Sequence, residues 1–311
     1  MMADENYFSK TAFPKGNIII MKLTDISTIR ALLGEEQTDF KKKYGQNFLV
    51  NEGVVKKIVA GSGASKECGI LEIGPGIGVM TVELADAAKK VVSLEIDPDM
   101  VAILGKTLEG KDNVRVICQD VLKADLSEII EENFSDCDEI RVCANLPYYI
   151  TTPIITMLLE SGLPLDSVTV MVQKEVADRL VAKAGSDEYG AISAFVAYYG
   201  KPYKIAAVSA GSFIPAPKVD SSVVRIDIFK DKEVKPKDEK LFFEVVRAAF
   251  MQRRKTLVNA VGSALGGKIT GLNKEKLTEI IVSLGFSPTV RGETIAVSDF
   301  AKVADAIFDL R

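Results

Sequence analysis

A chain of 311 residues with 47% hydrophobic content has room for one large domain and a small second one, and 23 Gly with 11 Pro is a globular rather than a low-complexity composition. No apolar run approaches the roughly 20 residues of a membrane helix, and the start lacks the apolar core and cleavage site of a secretion signal, so a cytoplasmic protein is expected. The absence of any histidine excludes His-based triads, HExxH zinc sites and imidazole general bases, and the four cysteines (Cys68, Cys118, Cys137, Cys143) form no C-x-x-C pair, so buried reduced thiols and no metal are expected. The net charge of −4 does not by itself suggest a nucleic-acid partner, but the charges are sorted. Residues 95–139 carry 13 acids and 4 bases, whereas residues 241–260 carry 4 bases and 1 acid. Lys41-Lys42-Lys43 and Lys56-Lys57 add a second basic region. Such a bipolar surface can still present a phosphate-binding face.

In chain order, residues 1–20 show no clear period and are expected to be a disordered tail or the product of a start codon placed too early. A helix-like stretch follows from Leu23 to Leu33, then a basic-to-apolar junction, Lys41 to Leu49. From residue 69 the pattern alternates. Apolar runs at 70–73, 91–94, 114–118, 140–144 and 168–172 read as buried parallel strands. Amphipathic segments at 78–88, 98–107, 126–132 and 152–160 read as the helices between them. This is βαβ repetition, hence an α/β doubly wound sheet, Rossmann-like, with helices on both faces. Helices are expected at 174–184 and 190–199, and strands at 203–209 and 221–228 as a closing pair. The charged, Pro-containing stretch Lys230 to Lys240 reads as a linker. Beyond it, segments 239–251, 253–264, 274–283 and 298–308 fit a small all-helical domain from about residue 238, so the catalytic unit would span 21–230.

The strand ends carry the chemistry. Glu72-Ile73-Gly74-Pro75-Gly76-Ile77-Gly78 leaves the first strand of this series and opens a helix. Its glycines permit close backbone approach to a ligand, but the spacing is not the G-x-G-x-x-G of dinucleotide sites. Glu95 ends the next strand, 21 residues after Gly74, where a carboxylate can accept both hydroxyls of a ribose. Asp97-Pro98 reads as the cap and first turn of the following helix. Asp120 follows the third strand and can accept from an adenine amino group. Together they suggest an adenosine-containing cofactor.

The fourth strand ends in Asn145-Leu146-Pro147-Tyr148, ahead of Thr152 as a helix cap and Pro153 in the first turn. An amide oxygen and a backbone carbonyl can accept hydrogen bonds from an exocyclic amine, and the ring can stack on its base. That chemistry suits N-methylation of a nucleobase. The Asn145 oxygen and Leu146 carbonyl would hold the amine, Pro147 would stiffen that carbonyl, and fixed dipoles would stabilise the charge developing on nitrogen. Tyr148 would stack on one face of an extruded base, with Phe213 as candidate for the other face or the pocket wall.

The motif set resembles the ribosomal RNA adenine N6,N6-dimethyltransferases, the bacterial small-subunit enzyme and its relatives. Its carriers are Lys42 to Leu49 (KKYGQNFL), Glu72 to Gly78, Glu95-Ile96-Asp97, Asn145 to Tyr148, Phe213 to Ser221 (FIPAPKVDS) and Gln252 to Leu257 (QRRKTL), in that order. The resemblance runs from about Leu23 to the C-terminus. It implies S-adenosylmethionine as cofactor, with Gln46, Asn47 and Leu49 closing over it, Gly74 at its methionine end, Glu95 at its ribose and Asp120 at its adenine, and with Gly76, Ile96 and Val121 as further cofactor contacts. It also implies Asn145 and the Leu146 carbonyl facing both cofactor and target base. The implied substrate is a pair of adjacent adenines in a hairpin near the 3′ end of 16S rRNA within an immature small subunit. Lys42, Lys43, Arg247, Arg253, Arg254 and Lys255 are the expected contacts to rRNA phosphates. A monomer, needing no metal and no membrane, is expected. Two rival readings stay open: a large-subunit adenine methyltransferase of the macrolide-resistance type, and an assembly or nucleic-acid-binding factor that has kept the fold without catalysis.

Overall fold

The computed structural model describes residues 21–34, 46–252 and 254–310. The first described elements are helix α1 (Ile26–Leu33), the two-residue strand β1 (Phe48–Leu49) and helix α2 (Glu52–Ser62), which Asn51 caps by accepting from the Val54 N–H at 3.2 Å. The alternating region then gives β2 (Cys68–Ile73), α3 (Val79–Ala87), β3 (Lys90–Glu95), α4 (Pro98–Thr107), β4 (Val114–Cys118), α5 (Leu126–Phe134), β5 (Glu139–Asn145), α6 (Thr151–Glu160) and β6 (Ser167–Gln173). Every strand expected from its apolar run is present, one or two residues longer at most ends. Asp97 caps α4 by accepting from the Asp99 N–H at 3.1 Å, as Asp97-Pro98 suggested. The start of α6 differs from expectation. Thr152 does not cap it: the helix begins at Thr151, whose hydroxyl donates back to the Pro147 carbonyl at 3.2 Å, and a 3-10 turn over Tyr148–Ile150 leads into it.

The chain continues through α7 (Lys174–Leu180), α8 (Ala191–Tyr199), β7 (Gly200–Val208), β8 (Phe213–Ile214) and β9 (Ser221–Ile228). Helix α7 stops four residues before the expected 184, and β7 starts directly at the end of α8 instead of at 203. The main sheet has the order β4-β3-β2-β5-β6-β9-β7. The first five of these are mutually parallel, whereas β9 is antiparallel to both β6 and β7. The expected closing pair therefore exists, with β9 inserted next to β6. A second, two-stranded sheet joins β1 to β8 with Leu49 opposite Phe213. No periodicity announced it, because two residues per strand are too few to show one.

Strand order reverses between β2 and β5. From β2 the chain steps outward through β3 and β4; from β5 it steps the other way to β6. In such sheets the ligand crevice lies beyond the carboxyl ends at the reversal. Alternate residues build two cores. Leu71 and Ile73 face the layer containing α5, α6 and α8, while Cys68 and Ile70 face that of α1, α2 and α3.

Residues 229–238 lack regular structure, after which α9 (Glu239–Met251), α10 (Leu257–Leu265), α11 (Lys274–Ser283) and α12 (Val297–Phe308) follow. Helix α10 starts at Leu257, four residues later than expected, because Thr256 is its cap. These helices have no separate core. Phe242, fully buried, stacks near Tyr198 at a centroid distance of 5.0 Å, within the same apolar cluster as β5 and β6. Tyr198 and Tyr199 each donate to the Glu239 carboxylate at 2.9 Å, and Lys232 lies 4.5 Å over the Tyr198 ring. The four cysteines are free; Cys68 and Cys143 are buried as expected, but Cys118, on edge strand β4, is exposed. Among the described residues no helix is long and apolar enough to cross a membrane.

Candidate active site

One cleft lies at the reversal point, lined from β1, the β2–α3 turn, the ends of β3 and β4, and the segment leaving β5. The β2–α3 turn is built by Gly74, Gly76 and Gly78, with φ of 69°, 58° and 91°. Side-chain-bearing residues adopt this left-handed region at a cost of roughly 1–2 kcal/mol each. Gly74 also sits close to the opposite strand: a Cβ there would lie 3.9 Å from the Asn145 carbonyl oxygen. The turn thus lies within ordinary contact range of the end of β5.

Glu95 closes the next side. Its carboxylate accepts from the Gly76 N–H at 3.1 Å and the Asp97 N–H at 3.0 Å. Burial raises its pKa, and these two N–H bonds oppose that rise. It is a pre-oriented carboxyl at the cleft wall, suited to a vicinal diol. Beyond it, Asp120 accepts from the Leu122 N–H at 3.0 Å, and Ile96 and Val121 also line the cleft. Apolar side chains together with a carboxylate suit the flat face and exocyclic amine of an adenine. Gln46, Asn47 and Leu49 form the roof. That roof is tied down by β1–β8 pairing and by the Val50 N–H donating to Ser212 at 2.8 Å. A glycine turn, the Glu95 carboxyl and Asp120 with apolar neighbours line one cleft, and that set of groups fits S-adenosylmethionine.

Asn145 to Tyr148 line the cleft where the chain leaves β5. The Asn145 side-chain N–H donates to the Asn47 carbonyl at 3.4 Å, which turns its oxygen the other way, and that oxygen accepts no bond from a described residue. The Leu146 side chain is buried at 2% exposure, but its carbonyl receives no hydrogen bond from any described residue. Pro147 fixes the backbone between them and Tyr148. The Tyr148 hydroxyl sits 2.8 Å from Ser221 Oγ, so the ring is anchored to the start of β9; burial raises its pKa, and it stays neutral.

Some expected residues lie elsewhere. Phe213 is a correction: at 5% exposure it packs in the core with β1 and does not line the cleft. Its pairing with Leu49 explains this, since the ring is needed to seal the β1–β8 flap onto the sheet. Arg247, Arg254 and Lys255 are exposed at the end of α9 and the turn after it, away from the cleft lining. Lys42, Lys43 and Arg253 fall outside the described residues. The sequence reading passed over Gln119, Ile150 and Tyr149, which also line the cleft. Tyr149, directly after the anchored Tyr148, offered a signal, an aromatic doublet at a strand end.

Sheet, turn and strand-end constellation together define an S-adenosylmethionine-dependent methyltransferase acting on an amine nitrogen. The ribosomal RNA adenine dimethylase family model matches residues 37–282, and the chain belongs to that family. It is 47% identical over 269 residues to the Ribosomal RNA small subunit methyltransferase A of Lachnoclostridium phytofermentans, covering 86% of this chain and 91% of that one. The protein of the same name from Geobacillus kaustophilus is 48% identical over 272 residues, with 87% and 92% covered. Among solved structures, a dimethyladenosine transferase from Plasmodium falciparum superposes with a TM-score of 0.69 at 29% identity, covering 82% of this chain and 95% of that one. The 23S rRNA methyltransferase ErmE, at 22% identity and a TM-score of 0.64 over 84% of this chain and 100% of that one, shares the fold.

Proposed function

We propose that this chain transfers methyl groups from S-adenosylmethionine to N6 of two adjacent adenines in a hairpin near the 3′ end of 16S rRNA, in the immature small subunit, acting as a cytoplasmic monomer. The observation that carries the reading is the pair of open acceptors, Asn145 Oδ1 and the Leu146 carbonyl, beside the glycine turn. Identity of 45–48% to several small-subunit enzymes over most of the chain supports the choice of subunit.

Adenine N6 is a weak nucleophile because its lone pair is delocalised into the ring. When bound, the cofactor supplies an electrophilic methyl group on a positively charged sulfur. The two acceptors take both N6 hydrogens, favour a pyramidal nitrogen, and stabilise the positive charge that grows there. The Asn47 carbonyl holds the amide so that its oxygen, not its nitrogen, faces the substrate. Tyr148 stacks on the extruded base, which reaches the cleft only by leaving its own stack. No strong base is required, since the proton can pass to water after transfer, and this agrees with a chain lacking histidine.

Purified protein, radiolabelled cofactor and small subunits lacking the modification test the reading. Label on two adjacent adenines near the 3′ end, mapped by blocked reverse transcription, is the expected outcome. Label on large subunits alone, or on neither, overturns it.

A further inference from the structure

Tyr149 is a cleft-lining residue that the proposed chemistry does not use. It lines the cleft wall, yet 66% of its surface is open to solvent. Its hydroxyl and ring have no hydrogen bond or ring contact among the described residues. The neighbouring Tyr148 is held inward by Ser221, and the two residues stand in a 3-10 turn. Tyr149 follows Tyr148 directly in that turn and lines the cleft while staying largely open to solvent, which puts its ring at the rim. Val219, in the loop just before Ser221, is also exposed, at 45%. Because Ser221 touches Tyr148, this loop borders the same side of the mouth, the side of β5 and β9 rather than that of Glu95 and Asp120.

Resting on the rRNA reading above, we propose that Tyr149 is a second stacking platform, which receives the base next to the adenine held in the cleft. Extruding one base leaves its neighbour without a stacking partner. A ring at the rim replaces that partner, holds the strand in register, and is sequence-tolerant because any base presents a π face. With two adjacent target adenines, each would occupy this platform while the other is in the cleft. Tyr149 is therefore a positioning residue for the substrate strand, not a group that touches the reacting nitrogen.

Two measurements test it. In steady-state assays on unmodified small subunits, Tyr149→Ala raises KM for the subunit about tenfold, with the effect on KM rather than kcat, and Tyr149→Phe and Tyr149→Trp restore it. In a binding assay, a hairpin RNA carrying 2-aminopurine beside the target adenine loses fluorescence with the wild-type protein through stacking, and keeps it with Tyr149→Ala. An unchanged KM together with unchanged quenching in the alanine variant overturns the proposal; so does a phenylalanine variant as defective as alanine. The quenching assay needs no methyl transfer. A wild-type protein that quenches the probe but modifies no subunit would sink the functional reading while leaving the platform standing.

Discussion

At the scale of single residues, the proposed reaction depends on aimed acceptors rather than on titrating groups. Asn145 illustrates this: its N–H bond to the Asn47 carbonyl spends the donor end of the amide and leaves the oxygen without a partner among the described residues. Asn145→Ala should lower kcat by about 100- to 1000-fold, the scale for losing one pre-oriented polar group at developing charge. Cofactor affinity, measured by calorimetry, should change little; near-normal turnover would remove Asn145 from the chemistry. Tyr148 makes a subtler case. From sequence, stacking alone predicts that Phe is fully tolerated. The hydroxyl contact to Ser221 at 2.8 Å changes that expectation. Tyr148→Phe should keep the ring but lose its anchor, at about 1 kcal/mol, giving a few-fold loss in kcat/KM. Ser221→Ala should produce a similar loss, and the double variant should be no worse than either single one. Additive losses in that cycle would show that the two residues act separately.

At the scale of elements, strand β2 carries the turn to the cleft and also conceals a carboxylic acid. Glu72 is fully buried, and its carboxylate accepts from Ser93 Oγ at 2.7 Å. Burial pushes its pKa up to about 7, against the opposing Ser93 bond, with Glu95 adding a smaller upward push. The folded state thus keeps a proton that the unfolded chain loses near pH 4.5. Its contribution is full below that pH and is lost as pH rises through about 7, so the wild type should lose stability between these limits. The loss is on the order of 3 kcal/mol for a shift of this size. Glu72→Gln, which mimics the protonated acid, should flatten that slope in urea titrations at pH 5 and pH 8; an unchanged slope would mean the acid is ionised throughout. The elements themselves were largely legible, because each buried parallel strand is a continuous apolar run and each end carries a polar residue at the sheet edge. Glu95, Asp120 and Asn145 could be placed because a strand end fixes where a side chain emerges. What was not legible depended on distant partners. The β1–β8 flap arises from pairing between residues 164 and 166 apart, and it turned Phe213 from a pocket candidate into core. The Thr151 bond to Pro147 likewise moved the start of α6, since a carbonyl four residues back competes with capping at Thr152.

At the scale of the molecule, charge is distributed along the sheet. The acidic segment 95–139 runs from the end of β3 through α4, β4 and α5 to the start of β5, which places it at the β4 edge. The basic group follows α9, which packs against α8 on the far side, inside the same continuous core as the sheet. The acidic and basic segments thus sit on different parts of the fold, and a polyanion is drawn to the basic one. Arg247, Arg254 and Lys255 are exposed and form no ion pair with any described residue, so each can meet a phosphate without first breaking a salt bridge. Counterion release then sets the expected behaviour: each phosphate neutralised contributes about −0.7 to −0.9 to the slope of log K against log salt. Replacing Arg247, Arg254 and Lys255 together by Gln should reduce the magnitude of that slope by about two to three for small-subunit binding, measured by filter retention from low to moderate salt. Because all three side chains lie outside the packed face of α9 and outside the cleft, the thermal midpoint and cofactor affinity should stay close to wild type. A slope that does not change would assign these charges to solvent and move the rRNA-binding face elsewhere on the fold.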